Sequence, residues 1–228
     1  MPKYFVNEDF SLNEETIHHL KRVLRIKLGD KIILCDGKGF DYHVSICNLN
    51  PLEFTVDNKI ACNTELDYKI TLYQALPKSD KLELIVQKSV ELGVYEIVPI
   101  ITEHCDARPN LNKINRYQKI SESAAGQSMR GIIPKIYNPI KLCDAIQDSS
   151  KPMLVAHEKA TANFLAIAPK VVKGDSLGIW VGPEGGFSQT EIELMEQSGF
   201  ETFSLGPRIL RTETAAIAAI AMLQVVIQ

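Results

Sequence analysis

From Asp67 to the C-terminus, short β-type runs alternate with helical ones, and that rhythm restricts the fold more than any other feature of the chain. Lys69–Leu76 alternates and is rich in β formers, Leu82–Leu92 places Leu82, Ile85, Val86 and Val90 at helical spacing, and Tyr95–Ile101 is an apolar run. Asn115–Gln127 reads as a helix with Tyr117, Ile120 and Ala124 on one face. Strands are then expected over Met153–His157, Leu177–Gly182 and Thr202–Leu205, with helices near 162–168, 190–197 and 213–226. Elements in this order bury their apolar faces by forming an α/β fold, a largely parallel sheet covered by helices on both sides. The chain has 228 residues, 45% hydrophobic and 23% charged, which is ample for a core without disulfide or metal support.

The segment before residue 68 follows a different pattern. Ser11-Leu12-Asn13-Glu14 has the form of a capping box. It opens a helix with Ile17, Leu20 and Leu24 on one face and the basic stripe His18, Arg22 and Arg25 on another. Such a stripe is either a solvated face or a phosphate contact. Lys31–Cys35, Tyr42–Cys47 and Glu53–Ile60 read as short strands separated by Asp36-Gly37-Lys38-Gly39 and Asn50-Pro51, so a small β-rich barrel or sandwich is expected. The boundary falls near residue 68, giving domains 1–67 and 68–228.

Several classes are disfavoured. The longest apolar stretch, Ala215 to Leu223, is well short of the roughly 20 residues that span a bilayer. The N-terminal residues Met1–Phe10 carry charge and lack the apolar region of a signal peptide. The scattered cysteines Cys35, Cys47, Cys62, Cys105 and Cys143 contain no CxxC pair and are expected as free thiols in a reducing cytoplasm. His18, His19, His43, His104 and His157 show neither HxxxH nor HExxH spacing, so no metal is expected. A formal charge of −3 offers no global field for nucleic acid, leaving any RNA contact to local patches.

Two strand-to-loop segments carry the chemistry. An apolar strand runs into Gly182-Pro183-Glu184-Gly185-Gly186, and Ser188-Gln189-Thr190-Glu191 supplies a capping box for the next helix. Glycines just past a strand let the backbone approach a ligand closely, and open α/β sheets bind ligands at the carboxyl ends of their strands. The loop is neither GxGxxG nor GxxxxGK[ST], which argues against a dinucleotide oxidoreductase. Phe203–Thr214 repeats the plan, with Arg208 and Arg211 flanking Ile209-Leu210 and Thr212 available to cap the following helix. Two adjacent strands, each ending in such a loop, form a cleft lined by backbone amides and carbonyls.

Gly182–Ile192 followed by Leu205–Ala215 resembles the SPOUT class of RNA methyltransferases, and within it the RsmE family, which methylates N3 of a uridine in small-subunit (16S) ribosomal RNA. The similarity extends through Val23-Leu24-Arg25 with Gly29-Asp30, Gln74–Lys78, Gln87–Gly93 and Ala124–Arg130. Three positions depart from the family pattern: Gly126 stands where glutamate is usual, His104 where arginine is common, and Met129 where a small residue is common.

The resemblance implies an N-terminal PUA-like β-barrel, a C-terminal domain tied in a deep trefoil knot, a homodimer, and S-adenosylmethionine held in the knotted loops. Val181, Leu205, Ile209 and Leu210 would wall the adenine slot, and backbone at Gly182, Gly185, Gly206 and Ala156-His157 would supply polar contacts. Glu158, Pro183, Glu184, Gly186, Thr214 and Ala215 complete the expected cofactor set. Arg211 is the expected electrostatic group, with Glu213 or Glu184 as proton acceptor or helix-ordering residue and Arg130 and Gln127 orienting the base. His18, Arg22, Arg25, Lys78, Lys81, Gln127 and Arg130 would meet RNA within the assembled or late-assembling subunit. A non-catalytic assembly factor on the same scaffold, or a related enzyme acting on another nucleotide, are the competing readings.

Overall fold

The computed structural model describes residues 1–106, 113–147, 152–171 and 174–227. The chain divides into two compact units, Met1–Glu65 with Glu122–Ile133, and Leu66–Ser121 with Pro134–Gln228.

The first unit holds strands β1 (Lys3–Phe5), β2 (Lys31–Cys35), β3 (Phe40–Leu49) and β4 (Leu52–Ala61), paired in that order. β1 lies parallel to β2, and the other pairs are antiparallel. Leu12, Leu20, Ile32, Leu34, Val44 and Ile46 form its core. Helix α1 (Glu14–His18) begins two residues later than the serine pattern implied: Asn13 accepts from the Thr16 amide at 2.7 Å, while the Ser11 hydroxyl donates to Asp9 at 2.6 Å. Asp9 two residues back outcompetes the helix for that hydroxyl. The helix then widens into a π-helical turn, His19–Leu24, and ends at Arg25 in the left-handed region (φ 51°). His18, Arg22 and Arg25 are exposed but do not continue one α-helical stripe, because i→i+5 bonding rotates successive side chains differently.

Glu122–Ile133 was expected in the second domain, yet it packs with the first unit. The Thr64 hydroxyl and the Lys3 ammonium both donate to the Met129 carbonyl, at 2.7 and 3.2 Å. The Glu65 carboxylate accepts from the Gly131 amide at 2.8 Å and pairs with the Arg130 guanidinium at 2.6 Å. Gly126 approaches the Lys3 carbonyl so closely that a Cβ would sit 3.1 Å from it. Burial pushes the Cys35 thiol in this unit up to about 12.

The second unit contains β5 (Lys69–Ala75), β6 (Glu96–Ile101), β7 (Lys135–Ile136), β8 (Ile140–Lys141), β9 (Met153–Ala156), β10 (Ser176–Val181) and β11 (Glu201–Phe203). Its strand order is β11-β9-β10-β5-β6-β7, with β8 also on β6, and every pairing is parallel. Helices α2 (Lys81–Glu91), α3 (Ile114–Gln127), α4 (Leu142–Gln147), α5 (Phe164–Val171), α6 (Gln189–Gln197) and α7 (Thr212–Ile227) complete the chain, α3 running on into the Glu122–Ile133 segment. Tyr73, Val98, Val155 and Trp180 pack with Leu142, Ile192 and Met195 on one face of the sheet, the Tyr73 and Trp180 rings stacked 4.3 Å apart. The alternate residues Leu72, Ile97, Leu154 and Ile179 are fully buried too, so both faces are covered, as the alternation of elements requires.

Candidate cofactor and methyl-transfer site

β10 and β11 are not neighbours as expected: β9 lies between them. The two glycine loops therefore start two strand spacings apart, about 10 Å, and the β9 loop with His157 and Glu158 closes the gap. All three loops leave the carboxyl ends of their strands. Hydrogen bonds from His157 N to Phe203 O (2.9 Å) and from Ser204 N to Ala162 O (2.8 Å) tie the β9 and β11 loops together.

Each loop is shaped by an identifiable local cause. Gly182 passes so close to the far side of its own loop that a Cβ would lie 3.2 Å from the Gly186 carbonyl carbon and the Phe187 nitrogen. Gly186 (φ +68°) and Gly206 (φ +108°) take left-handed conformations that disfavour any side chain. The capping box at Ser188 is formed, its hydroxyl accepting from the Glu191 amide and its amide donating to the Glu191 carboxylate at 2.9 Å. His104, standing where arginine was expected, places Nδ1 3.1 Å from the Gly185 carbonyl, so it anchors the loop from outside.

Thr212 does not cap α7 with its side chain. Its buried hydroxyl donates to the Gly182 carbonyl at 2.6 Å and accepts from the Gln74 amide at 3.0 Å. The start of α7 is thereby fastened directly to the first glycine loop, and also to the fully buried Gln74 of β5. A glutamine near the end of a strand buried over nearly its whole length was the available signal, since a buried amide needs partners and few are within reach.

These loops enclose a cavity lined by the expected Ala156, His157, Glu158, Val181, Leu205, Ile209, Leu210 and Ala215, by Gly182 through Gly186, and by Gly206. Thr214 is absent from the lining and exposed, because it faces away on the first turn of α7. Ser204, Arg208 and Thr212 line the cavity without having been assigned to it. Ile209 is 87% exposed, an apolar side chain at the mouth that the described residues leave uncovered.

Arg211 is exposed and has no ion-pair partner among the described residues. Glu213 is half-buried, and its Oε2 lacks a hydrogen-bond donor among the described residues, with the Lys81 ammonium 3.8 Å away. Glu184 is engaged: Lys81 Nζ lies 2.6 Å from its carboxylate and the Lys78 amide donates at 3.2 Å. Burial raises the Glu184 pKa, but the hydrogen bonds from Lys81 and from backbone amides outweigh it and hold the carboxyl below its usual range. The Lys78 side chain pairs with Asp106. Arg130 is 3% exposed and bound to Glu65 in the first unit, while Gln127 is exposed there. Among the described residues no group of three or more His, Cys, Asp or Glu is placed to hold a metal ion, and no helix is long and apolar enough to cross a membrane.

Residues 64–224 match the family model of an RNA methyltransferase domain, and residues 12–57 match that of an RNA methyltransferase PUA domain. The chain belongs to this RNA methyltransferase family. The ribosomal RNA small subunit methyltransferase E of Bacillus subtilis is 36% identical over 92% of this chain and 88% of its own length. A methyltransferase of Legionella pneumophila, solved with bound S-adenosylmethionine, superposes with a TM-score of 0.91 at 30% identity, over 99% of this chain and 97% of that one. The ribosomal RNA small subunit methyltransferase E of Neisseria gonorrhoeae, also bound to S-adenosylmethionine, gives 0.89 at 32% identity over 99% and 97%. The RNA methyltransferase domain thus spans the parallel sheet and all three cavity loops, and the PUA domain supplies the antiparallel ladder of the first unit.

Proposed function

We propose that this RNA methyltransferase transfers a methyl group from S-adenosylmethionine to N3 of a uridine in small-subunit ribosomal RNA. The observation that carries the reading is the three-loop cavity at the carboxyl ends of β9, β10 and β11, in a domain whose relatives at 30% and 32% identity hold that cofactor. The lining fits it. Val181, Leu205 and Leu210 offer apolar walls for a flat base, and the side-chain-free backbone at Gly182, Gly185 and Gly206 offers amides and carbonyls to its polar edges. When bound, S-adenosylmethionine supplies an already activated methyl on its sulfonium.

The remaining chemistry falls to the protein. Uracil N3 carries a proton at neutral pH and is paired in a helix, so the base must be unstacked at a cost of a few kcal/mol, and the proton must leave. In this reading Glu213 accepts it: its Oε2 has no hydrogen-bond donor among the described residues, and the Lys81 ammonium that pairs with it lies 3.8 Å away. Arg211, exposed, without an ion-pair partner among the described residues and outside the cavity lining, stabilises negative charge developing on the base in this reading. Arg130 is assigned a structural rather than a base-orienting role in this reading, since its guanidinium is bound to Glu65. The exposed His18, Arg22 and Arg25 supply phosphate contacts. With a net charge of −3, the folded or late-assembling subunit is a better substrate than bare RNA. The trefoil knot and a homodimer belong to the same reading; an exposed Val225 (77%) near the end of α7 supports a second copy covering that helix.

Calorimetry with S-adenosylmethionine and a transfer assay on small subunits test the assignment together. Arg211→Ala is expected to keep cofactor affinity and lose about 10²–10³ in transfer rate. Transfer at the wild-type rate removes Arg211 from the mechanism. A wild-type protein that binds subunits but no cofactor points to the assembly-factor reading.

A further inference from the structure

We propose that Lys81 is a positioning residue of the cofactor pocket, clamping the first glycine loop to the start of α7, and not a contact for RNA phosphate. This inference rests on the proposed cofactor reading and deepens it.

Lys81 is the first residue of α2, where a cation opposes the positive end of the helix and so needs a local reason to be there. Two carboxylates provide that reason. Its ammonium lies 2.6 Å from Glu184 Oε1, in the Gly182–Gly186 loop, and 3.8 Å from Glu213 Oε2, in the first turn of α7. The lysine and glutamate side chains are 30%, 27% and 14% exposed, so the cluster is partly withdrawn from water and less screened than a surface pair. The Lys78 amide donates to the same Glu184 carboxylate, fixing its orientation from a second direction. A lysine so engaged has little charge left to offer a phosphate.

The clamp acts on the pocket at two points. Glu184 belongs to the loop whose backbone lines the cavity, and its carboxylate is turned toward Lys81, leaving only its backbone for a cofactor. Glu213 follows Thr212, whose hydroxyl already ties α7 to the Gly182 carbonyl. Lys81 thus runs in parallel with the Gln74–Thr212 link, one polar tie buried in the sheet and one at the rim. Removing the ammonium would also leave two carboxylates facing each other without a cation, which favours movement of the loop away from α7.

The test compares wild type with Lys81→Met, Lys81→Arg and Glu184→Gln, measuring S-adenosylmethionine affinity by calorimetry and the salt dependence of small-subunit RNA binding. Lys88→Met, a lysine paired with Glu91 on the same helix, serves as control. Lys81→Met is expected to weaken cofactor binding about tenfold, as befits a charge-assisted hydrogen bond partly open to solvent, with the slope of RNA affinity against salt unchanged. Lys81→Arg restores most of that loss, Glu184→Gln reproduces it, and the double variant Lys81→Met/Glu184→Gln adds little further. Unaltered cofactor affinity in Lys81→Met, with a salt slope reduced by about one, overturns the proposal and returns Lys81 to the RNA surface. If wild type itself binds no S-adenosylmethionine, the reading of the pocket fails before the clamp is tested.

Discussion

At the scale of single residues, the site depends on polar groups fastened in places where water cannot replace them. Thr212 gives the sharpest case, its buried hydroxyl bridging Gly182 O and Gln74 Nε2. Thr212→Val keeps the volume and removes both bonds, so it should cost about 1–3 kcal/mol, read as a lower urea midpoint with an unchanged slope. A stability equal to wild type would mean that the link between α7 and the glycine loop is dispensable. The thiols offer a second check. Cys47 and Cys143 are exposed and should react with a thiol reagent at pH 8, whereas Cys35, buried and with its pKa pushed up to about 12, should react only on unfolding. Equal rates for all of them would contradict the packing of the first unit. Residue types at the site were legible where chemistry is local: the glycines, the Ser188 capping box and the apolar cavity walls all follow from their neighbours in sequence. Thr212 bonds Gly182 and Gln74 rather than capping α7 because those partners lie far away along the chain, beyond the reach of any local pattern.

At the scale of elements, periodicity located β5, β6, β9, β10 and β11 and helices α2, α3, α5, α6 and α7 to within a few residues, but it missed β1, β7, β8 and α4, too short to show a period, and it failed where bonding departs from the standard ladders. The π-helical turn at His19–Leu24 has the same residue types an α-helix would have, so spacing alone could not reveal that the basic stripe is broken there. Strand order was likewise hidden. Hydrophobic runs in β9, β10 and β11 say that each is buried but not that β9 separates the other two. The segment Glu122–Ile133 joins the first unit through Glu65, Thr64 and Lys3, contacts that no local pattern announces. Its central tie is the Arg130–Glu65 pair, with side chains 4% and 22% exposed. Arg130→Met leaves the Glu65 carboxylate short of its cation and is expected to destabilise the protein by about 3–5 kcal/mol, seen as a lower thermal midpoint. Unchanged stability together with lost transfer activity would restore Arg130 to the site as a base-orienting residue.

At the scale of the whole molecule, a PUA domain and an RNA methyltransferase domain share one chain, and the proposed function gives RNA contact to the first and methyl transfer to the second. Arg22 and Arg25 are exposed and unpaired among the described residues, so Arg22→Ala with Arg25→Ala should lower the slope of log affinity against log salt by about two while leaving cofactor binding intact. An unchanged slope would place the RNA-facing surface elsewhere. The central claim is narrower than RNA binding: a particular atom of a particular base receives the methyl group. Nucleoside mass spectrometry addresses it directly, applied to small-subunit RNA from cells lacking the gene, before and after incubation of their subunits with the purified protein and isotopically labelled S-adenosylmethionine. 3-Methyluridine is expected to be missing beforehand and to return carrying the label. Label found in another methylated nucleoside, or 3-methyluridine already present without the gene, would contradict that claim.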